Sequence, residues 1–260
     1  MAFDTIILFI FGTIAGSFIN ALAFRHNTGK SMWGRSACTS CGRTVSSGDL
    51  IPVLSYIFLR GRCRQCKATI SLQYPLIEVL AGLISVTAYF TAPSLSNFFF
   101  SFFFFMLLLF ISLYDVRHTI VPDVFVYSAG LVALLFHMVE GGHINFLPLP
   151  SILAGFLLAL PLFLIWFFSS GRAMGLGDSK LMCAVGIFLG LQTGMVALLF
   201  SFWLGAIVGV LLLILSARKG NLRGTMKSEV PFGPFIALGA FCAYFFHVTF
   251  TTLLKLFVFF

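Results

Sequence analysis

The sequence predicts an all-α, polytopic membrane protein of about eight transmembrane helices, with a small cytoplasmic zinc-knuckle insertion after the first helix. Composition is the first reason for this prediction. The chain has 260 residues and is 60% hydrophobic but only 9% charged, whereas soluble domains average about 25% charged. Its 34 phenylalanines are more than a soluble domain of this length can bury, because the buried fraction rises only slowly with size. The lipid bilayer is therefore the main solvent.

Apolar runs along the whole chain are the second reason. A helix needs about 20 apolar residues to cross the hydrocarbon core. The candidate spans are 3–24, 74–92, 97–114, 124–139, 149–169, 180–193, 196–216 and 234–259. Two of them, 124–139 and 180–193, are short enough to fit tilted or partly re-entrant helices. The first run is long, evenly apolar and without a basic segment before it, which favours a retained span over a removable signal peptide.

The distribution of Lys and Arg predicts the orientation. These residues collect in the cytoplasmic loops of membrane proteins, and here basic loops alternate with loops that contain none. The basic loops are 25–73, the loop at Arg117, the loop at 170–180 and the loop after 216. This pattern places the N-terminus outside and the insertion in the cytoplasm. The net charge of +8 reflects that bias and attraction to anionic lipid; no module or aromatic–basic stripe indicates nucleic-acid binding.

The first cytoplasmic segment, 25–73, holds four cysteines in two Cys-x-x-Cys pairs. Cys38 and Cys41 form the first pair and Cys63 and Cys66 the second. Two such knuckles at this separation match a tetrahedral four-thiolate zinc site. Disulfides or a redox pair are the alternatives, but the cytoplasm keeps thiols reduced, and duplicated knuckles favour metal. The segment has few large apolar residues, so the expected zinc is structural.

Two aspartates are the candidates for catalysis. Asp115 ends the Phe-rich third run, and the topology places it near the cytoplasmic boundary. Asp178 follows Gly175 and Gly177 just before another apolar run, near the same boundary. Ionisable residues in or beside membrane spans are costly and mark functional sites. The two glycines, which lack side chains, permit close approach of a substrate strand in a cleft.

An aspartate pair at a shielded site has a definite chemistry. The two carboxylates cannot both ionise easily, so one holds a proton. One can then act as a base toward water and the other as an acid toward the scissile carbonyl and leaving amine. A structural alternative stays open, in which Asp115 pairs with Arg117 and Asp178 with Lys180 as interfacial ion pairs. Spacing alone does not separate these interpretations.

The ordered set of motifs resembles the type IV prepilin peptidases, bifunctional bacterial enzymes that cleave prepilin leaders and N-methylate the new amino terminus. The resemblance runs nearly end to end. The matching motifs, besides the four cysteines, are Gly16-Ser17-Phe18-Ile19-Asn20, Tyr74-Pro75-Leu76 with Glu78, Asp115 with Ile120-Val121-Pro122-Asp123, Gly175-Leu176-Gly177-Asp178 with Lys180, and Pro231-Phe232-Gly233-Pro234. One departure is Thr39, where the family has proline after the first cysteine.

The resemblance implies an aspartyl endopeptidase of the bacterial inner membrane that uses Asp115 and Asp178, with Gly175, Gly177 and Lys180 as the supporting motif. Its substrates would be prepilins or pseudopilins of pili or type II secretion systems. It also implies methyl transfer from S-adenosylmethionine, for which the sequence has no independent nucleotide-binding loop. The implied domains are a first span at 1–24, the zinc-binding loop at 25–73 and the peptidase core at 74–260.

A different class of function also fits part of the pattern. Intramembrane acids mark ion and proton paths, so a multi-pass transporter or channel with a structural zinc module is the alternative. Transporters commonly carry internal repeats with broken helices at corresponding positions, and the sequence shows no such repeat. The sequence leaves the roles of Glu78 and Asp123 open, with Asp123 suited to capping the helix that follows Pro122.

Overall fold

The computed structural model describes residues 2–28, 31, 34–139, 148–218 and 230–258. Helices dominate these ranges, and the extended pairings within them are two isolated bridges, Ala37–Thr44 and Arg62–Thr69. The all-α class is therefore confirmed. The chain packs as two compact units, Met1–Ala92 and Pro93–Phe260, and each is described by itself. The functional boundaries predicted at residues 24 and 73 stay predictions.

The first unit is built on a pair of long helices. Its elements are α1 (Ala2–Arg25), a 3₁₀ turn (Ser47–Leu50), α2 (Leu54–Phe58) and α3 (Gln73–Thr91). Helices α1 and α3 pack against each other. The buried Asn20 amide of α1 donates to the Tyr74 carbonyl of α3 at 3.2 Å, and the Phe24 and Tyr74 rings stack with centroids 5.4 Å apart. The chain between α1 and α3 forms the cysteine-containing insertion.

The second unit is organised around one long helix. Its elements are α4 (Leu95–His118), α5 (Asp123–Val139), α6 (Leu149–Ser169), α7 (Leu176–Arg218), α8 (Gly233–Phe245) and α9 (Phe250–Val258). Helix α7 contacts α5, α6, α8 and α9, while α4 packs on α5 and α8. Small residues let two of these helices approach closely, since a Cβ on Gly186 of α7 would lie 2.8 Å from the Cα of Gly155 on α6.

Part of the phenylalanine content forms a core of the second unit. Phe104, Phe105 and Phe110 of α4 and Phe188 of α7 are all fully buried. The rings of Phe104 and Phe188 stack with centroids 4.0 Å apart, and Phe105 lies 4.8 Å from the ring of Phe245. Lipid tails are as apolar as these rings, so the gain comes from dense packing and not from leaving water. Stacking between α4 and α7 therefore ties together the helices that carry Asp115 and Asp178.

Helix α7 contains a break at Gly190, where the backbone is left-handed (φ 71°, ψ 177°). Such a break removes the helical partners of the carbonyls just before it. The ring of His137 on α5 replaces them, with Nε2 at 2.8 Å from the Ile187 oxygen and 3.2 Å from the Phe188 oxygen. Because both neighbours are acceptors, Nε2 carries the proton. The structure thus gives His137 a definite role at this break.

Among the residues that the structure describes, five helices are long and apolar enough to cross a membrane: Phe3–Arg25, Gln73–Thr91, Leu95–His118, Leu149–Ser169 and Leu176–Leu215. The last belongs to α7 (Leu176–Arg218), which contains both predicted spans, 180–193 and 196–216, and is broken at Gly190. Helices α5 and α8 are apolar but shorter. A multi-pass membrane protein is thus confirmed, whereas the number of eight spans and the orientation stay predictions. The loop predicted at 140–148 to contain no Lys or Arg lies outside the described residues except for Pro148, as does most of the last basic loop, 219–229.

The last apolar run, 234–259, does not form one continuous helix. Helix α8 ends at Phe245, and His247 takes a left-handed conformation (φ 51°). The Val248 N–H then bonds the Ala243 carbonyl at 3.1 Å, the pattern of a Schellman end. Thr249 begins the next helix, since its Oγ1 accepts from the Thr252 N–H at 3.3 Å. Hydropathy does not predict this break, because apolar residues on both sides of His247 continue the run.

The role of His137 predicts the consequence of removing its ring. The variant His137→Ala leaves the Ile187 and Phe188 carbonyls unpaired inside the second unit, at a cost of about 1–3 kcal/mol in the free energy of unfolding. Thermal unfolding in detergent measures this loss. The control His118→Ala removes an exposed ring that bonds its own helix, and we expect it to change stability by less than about 0.5 kcal/mol. Equal stability of the two variants would contradict the assignment.

Candidate active site

Asp115 lies in the last turn of α4, where the end of the helix fixes its position. The helix ends because Thr119 adopts a left-handed conformation (φ 52°) and its N–H bonds the Asp115 carbonyl at 2.7 Å. Pro122 then prevents the chain from continuing as a helix. The Asp115 side chain points into the protein and is only 3% exposed. A carboxylate at this depth requires polar partners within the fold.

Asp178 lies in the first turn of α7 and is 7% exposed. Its N–H bonds the Gly175 carbonyl at 3.3 Å, and the backbone of Gly175 donates a hydrogen bond to its carboxylate. The free N–H groups at the start of a helix favour a negative charge there. The chain from Gly175 thus turns tightly around the carboxylate of Asp178, in the first turn of α7.

The structure brings the two aspartates together. They are 63 residues apart in sequence (178 − 115), but their carboxyl groups are close enough for the charge of Asp115 to act on Asp178. The proposed ion pair between Asp178 and Lys180 is wrong, because the Lys180 ammonium lies 2.8 Å from Asp123. The Asp123 carboxylate is therefore the partner of a motif lysine, at the exposed edge of the site.

Gly177, the residue just before Asp178, has a packing role. A Cβ on Gly177 would lie 2.7 Å from the Cβ of Val121, closer than real side chains approach. Val121 belongs to the short connection between α4 and α5, which follows Asp115. The absence of a side chain at position 177 therefore lets the two aspartate-bearing segments touch.

Gly233 is a site residue to which sequence reasoning gave no role. Its N–H donates to Asp115 Oδ2 at 3.0 Å in a buried hydrogen bond. A Cβ at position 233 would lie 2.8 Å from the same oxygen, so only glycine fits beside the carboxylate. The available signal was the Pro-Phe-Gly-Pro motif, in which Pro234 in the first turn starts α8. The first N–H of that helix, from Gly233, is thereby directed at Asp115.

Glu78 is a third buried carboxylate, and it lies in the first unit. It is 7% exposed on α3, and its Oε2 accepts from the Val53 N–H at 2.7 Å. The Ser17 hydroxyl of α1 supplies a further hydrogen bond. The sequence left the role of this residue open, and the structure assigns it to the junction of α1, α3 and the insertion.

The four cysteines of the insertion form one cluster, with all their sulfur atoms within 4.8 Å of one another. The Sγ atoms of Cys38 and Cys66, from different knuckles, are 3.8 Å apart. Four sulfurs at about 2.3 Å from one tetrahedral ion would be roughly 3.8 Å apart. All six cysteines of the chain are free of disulfides. The cluster is therefore suited to hold a metal ion through four thiolates.

The two knuckles share one backbone geometry. The N–H groups of Cys41 and Ser40 point at the Cys38 sulfur and lower the pKa of that thiol to about 6. The equivalent groups of Cys66 and Gln65 lower the pKa of Cys63. Both effects favour the thiolate, the form that binds metal.

The residue that follows each knuckle is left-handed. It is Gly42 (φ 70°) after the first and Lys67 (φ 58°) after the second. Glycine adopts this conformation without strain, whereas lysine does so at a cost. The two knuckles therefore differ in strain although they share one geometry.

Comparison with known proteins gives the family. Residues 10–92 match the bacterial peptidase A24 N-terminal domain, and residues 102–210 match the type IV leader peptidase family. Three similar proteins are each named prepilin leader peptidase/N-methyltransferase. They are from Pseudomonas putida (31% identical, 90% of this chain and 88% of the relative), Bacillus subtilis (30%, 92% and 92%) and Aeromonas salmonicida (31%, 80% and 70%).

The chain belongs to the type IV leader peptidase family.

This membership confirms the predicted resemblance and the enzyme class, a membrane peptidase, and it does not favour a transporter or channel. Asp115 and Asp178 lie within the region that matches the peptidase model. The cysteine cluster and Glu78 lie within the region that matches the N-terminal domain model. No solved structure matches this fold significantly.

The left-handed residues of the knuckles predict opposite effects of two substitutions. Lys67→Gly removes a strained conformation and should stabilise the insertion by about 1–2 kcal/mol, while Gly42→Lys should destabilise it similarly. The rate at which a colorimetric chelator removes the bound metal measures both effects. We expect slower release from Lys67→Gly and faster release from Gly42→Lys than from the parent protein. The same release rate in all three proteins would contradict the geometry of the knuckles.

Proposed function

We propose that this protein cleaves the leader peptides of type IV prepilins or pseudopilins at the cytoplasmic membrane face, with Asp115 and Asp178 as the catalytic pair. It then methylates the new N-terminal residue, with S-adenosylmethionine as the methyl donor. One observation carries the peptidase part: two aspartates far apart in sequence meet as a buried, interacting pair. Their location within the region that matches the peptidase family supports the same conclusion.

The pair performs hydrolysis by general acid–base catalysis. One carboxylate takes a proton from water as the oxygen attacks the scissile carbonyl, and the other, which holds a proton, donates to the developing leaving group. The C–N bond then breaks, and the amine leaves with a proton. The Gly233 N–H bonds Asp115 Oδ2, which leaves Oδ1 of the same residue to exchange the proton with water or substrate. No covalent intermediate is required.

The membrane contributes to substrate binding. A prepilin has an apolar segment after the cleavage site, which would lie in the bilayer beside the spans of the enzyme, with the scissile bond near the boundary. Anchoring both partners in one bilayer raises their effective concentration. The cytoplasmic loops are basic and do not attract a basic leader, so anionic lipid serves as the anchor for both.

Zinc is the metal that best fits the four-cysteine cluster. Four thiolates in two short knuckles are typical of closed structural zinc sites, which leave no open coordination position for catalysis. The ion would supply folding free energy to an insertion with few large apolar residues. The relatives carry methyltransferase in their names, which supports the second activity and its methyl donor.

The aspartate pair predicts that neither residue can be replaced by its amide. Asp115→Asn and Asp178→Asn keep size but remove the group that exchanges protons, so each should reduce the rate of leader cleavage roughly 10²–10⁴-fold. Cleavage of a prepilin in detergent measures the rate, with monodispersity as the check on folding. Asp4→Asn is the matched control, because Asp4 is exposed in the first turn of α1, outside the aspartate motifs; it should cleave within a few-fold of the parent protein. Normal cleavage by both pair variants would overturn the proposal.

Gly233 predicts a second effect on cleavage. The Cβ of Gly233→Ala would lie 2.8 Å from Asp115 Oδ2 and displace that carboxylate, at a cost of about 10²-fold in cleavage rate. Gly130→Ala is the matched control, because a Cβ at that helical position has open space around it. It should leave the rate nearly unchanged. If the two alanine variants cleave equally well, Gly233 does not position the catalytic carboxylate.

A further inference from the structure

The insertion carries an apolar surface outside the membrane-spanning helices. On α2, which has 5 residues, Leu54, Ile57 and Phe58 are 52%, 62% and 81% exposed. Their i, i+3, i+4 spacing places them on one side of the helix. Leu50 and Ile51, just before α2, are 43% and 50% exposed. These five side chains are called the apolar face of the insertion.

The opposite side of α2 packs within the insertion. The Tyr56 hydroxyl donates to the Ile70 carbonyl at 3.4 Å, and a Cβ on Gly61 would lie 2.8 Å from the same hydroxyl. Tyr56 therefore faces the second knuckle. Because the helix has a packed side and an exposed side, the apolar face is a fixed feature and not the result of a freely rotating segment.

A hydrogen bond places α2 at the depth of a membrane-spanning helix. The Val53 N–H, at the residue before α2, donates to Glu78 Oε2 at 2.7 Å. Glu78 lies five residues after Gln73, roughly 7.5 Å along α3 from its first residue. Val53 holds φ 60°, a conformation that β-branched residues rarely adopt. The contact thus holds the start of α2 beside the first turns of a span, against the preference of the backbone.

The charges next to the apolar face complement a membrane surface. Arg60 and Arg62 follow α2 directly, and both side chains are exposed. An apolar face with basic residues beside it is the pattern of segments that lie in the plane of the membrane interface. Basic residues near the surface add attraction to anionic headgroups.

We propose that the apolar face of the insertion lies in the bilayer, at the boundary between headgroups and acyl chains, with Arg60 and Arg62 on anionic lipid headgroups. The insertion is then held against the membrane by its own surface as well as by α1 and α3. This contact does not depend on the peptidase proposal. It makes the bilayer, not a protein, the partner of Leu54, Ile57 and Phe58.

Site-specific photo-crosslinking of the full chain tests this contact. The photoreactive residue p-benzoylphenylalanine replaces Leu54, Ser55, Ile57 or Phe58, one at a time, in protein reconstituted into vesicles of phosphatidylethanolamine and phosphatidylglycerol. After irradiation, mass spectrometry identifies the adducts. We expect lipid acyl-chain adducts at 54, 57 and 58 and a lower yield at 55, the in-helix control on the more buried side. Phe58 is the most exposed position, so its replacement should not disturb folding.

Other adducts would overturn the proposal. Adducts to peptides from residues 93–260, or to a second copy of the chain, would show that protein covers the apolar face. Irradiation without any adduct at 54, 57 and 58 would show that water covers it.

The role of the arginines has its own readout: replacing phosphatidylglycerol with phosphatidylcholine should lower the lipid adduct at 58 about twofold or more. The variant Arg60→Gln with Arg62→Gln should remove that dependence on anionic lipid, and an unchanged dependence would exclude the arginines from the contact.

Discussion

The absence of water from the bilayer core is the constraint on which this structure depends, because every polar group there needs a partner within the protein. Asp115 takes the Gly233 N–H, and Glu78 takes the Val53 N–H. His137 bonds the carbonyls freed by the break at Gly190. Within the described ranges, Ser85 Oγ is the one buried side-chain polar atom without a partner. Polar groups placed at this depth thus become fixed points of the fold.

The same constraint explains why the aspartate pair is built from the ends of helices. A helix end has free N–H groups or free carbonyls and an abrupt change of chain direction. Asp115 ends α4, Asp178 begins α7, and Gly233 begins α8. The starts of α7 and α8 supply backbone N–H donors to the carboxylates, and the end of α4 places Asp115 beside them, without opening the packing of the helices. The aromatic stack between Phe104 and Phe188 then holds α4 and α7 in the arrangement that the pair requires.

Glycines and residues with a left-handed backbone support this fold through the geometry that they permit, more than through flexibility. Gly177 and Gly233 lie where a Cβ would collide with Val121 and with Asp115. In the insertion, the same left-handed position is glycine in one knuckle and Lys67 in the other. Repetition of the backbone despite different residues indicates that the thiolate cluster, not local preference, determines this fold. The insertion and the aspartate pair therefore follow separate physical requirements, the gathering of four sulfur atoms in one and membrane burial in the other.

The sequence by itself determined that the chain lies in a lipid bilayer, that it is helical, and which cysteine pairs and aspartates are candidates for sites. Composition, apolar length and short-range spacing decide these, and they are properties of the chain alone. It could not decide between an aspartate pair and two local ion pairs, since spacing gives no distance between residues 63 positions apart (178 − 115). Only tertiary packing placed Lys180 on Asp123 and Gly233 on Asp115. The structure also shows the last apolar run broken at a left-handed His247 and His137 bonded to the Ile187 and Phe188 carbonyls. Hydropathy could reveal neither, because it measures the preference of a segment for lipid and carries no information on where its backbone bends.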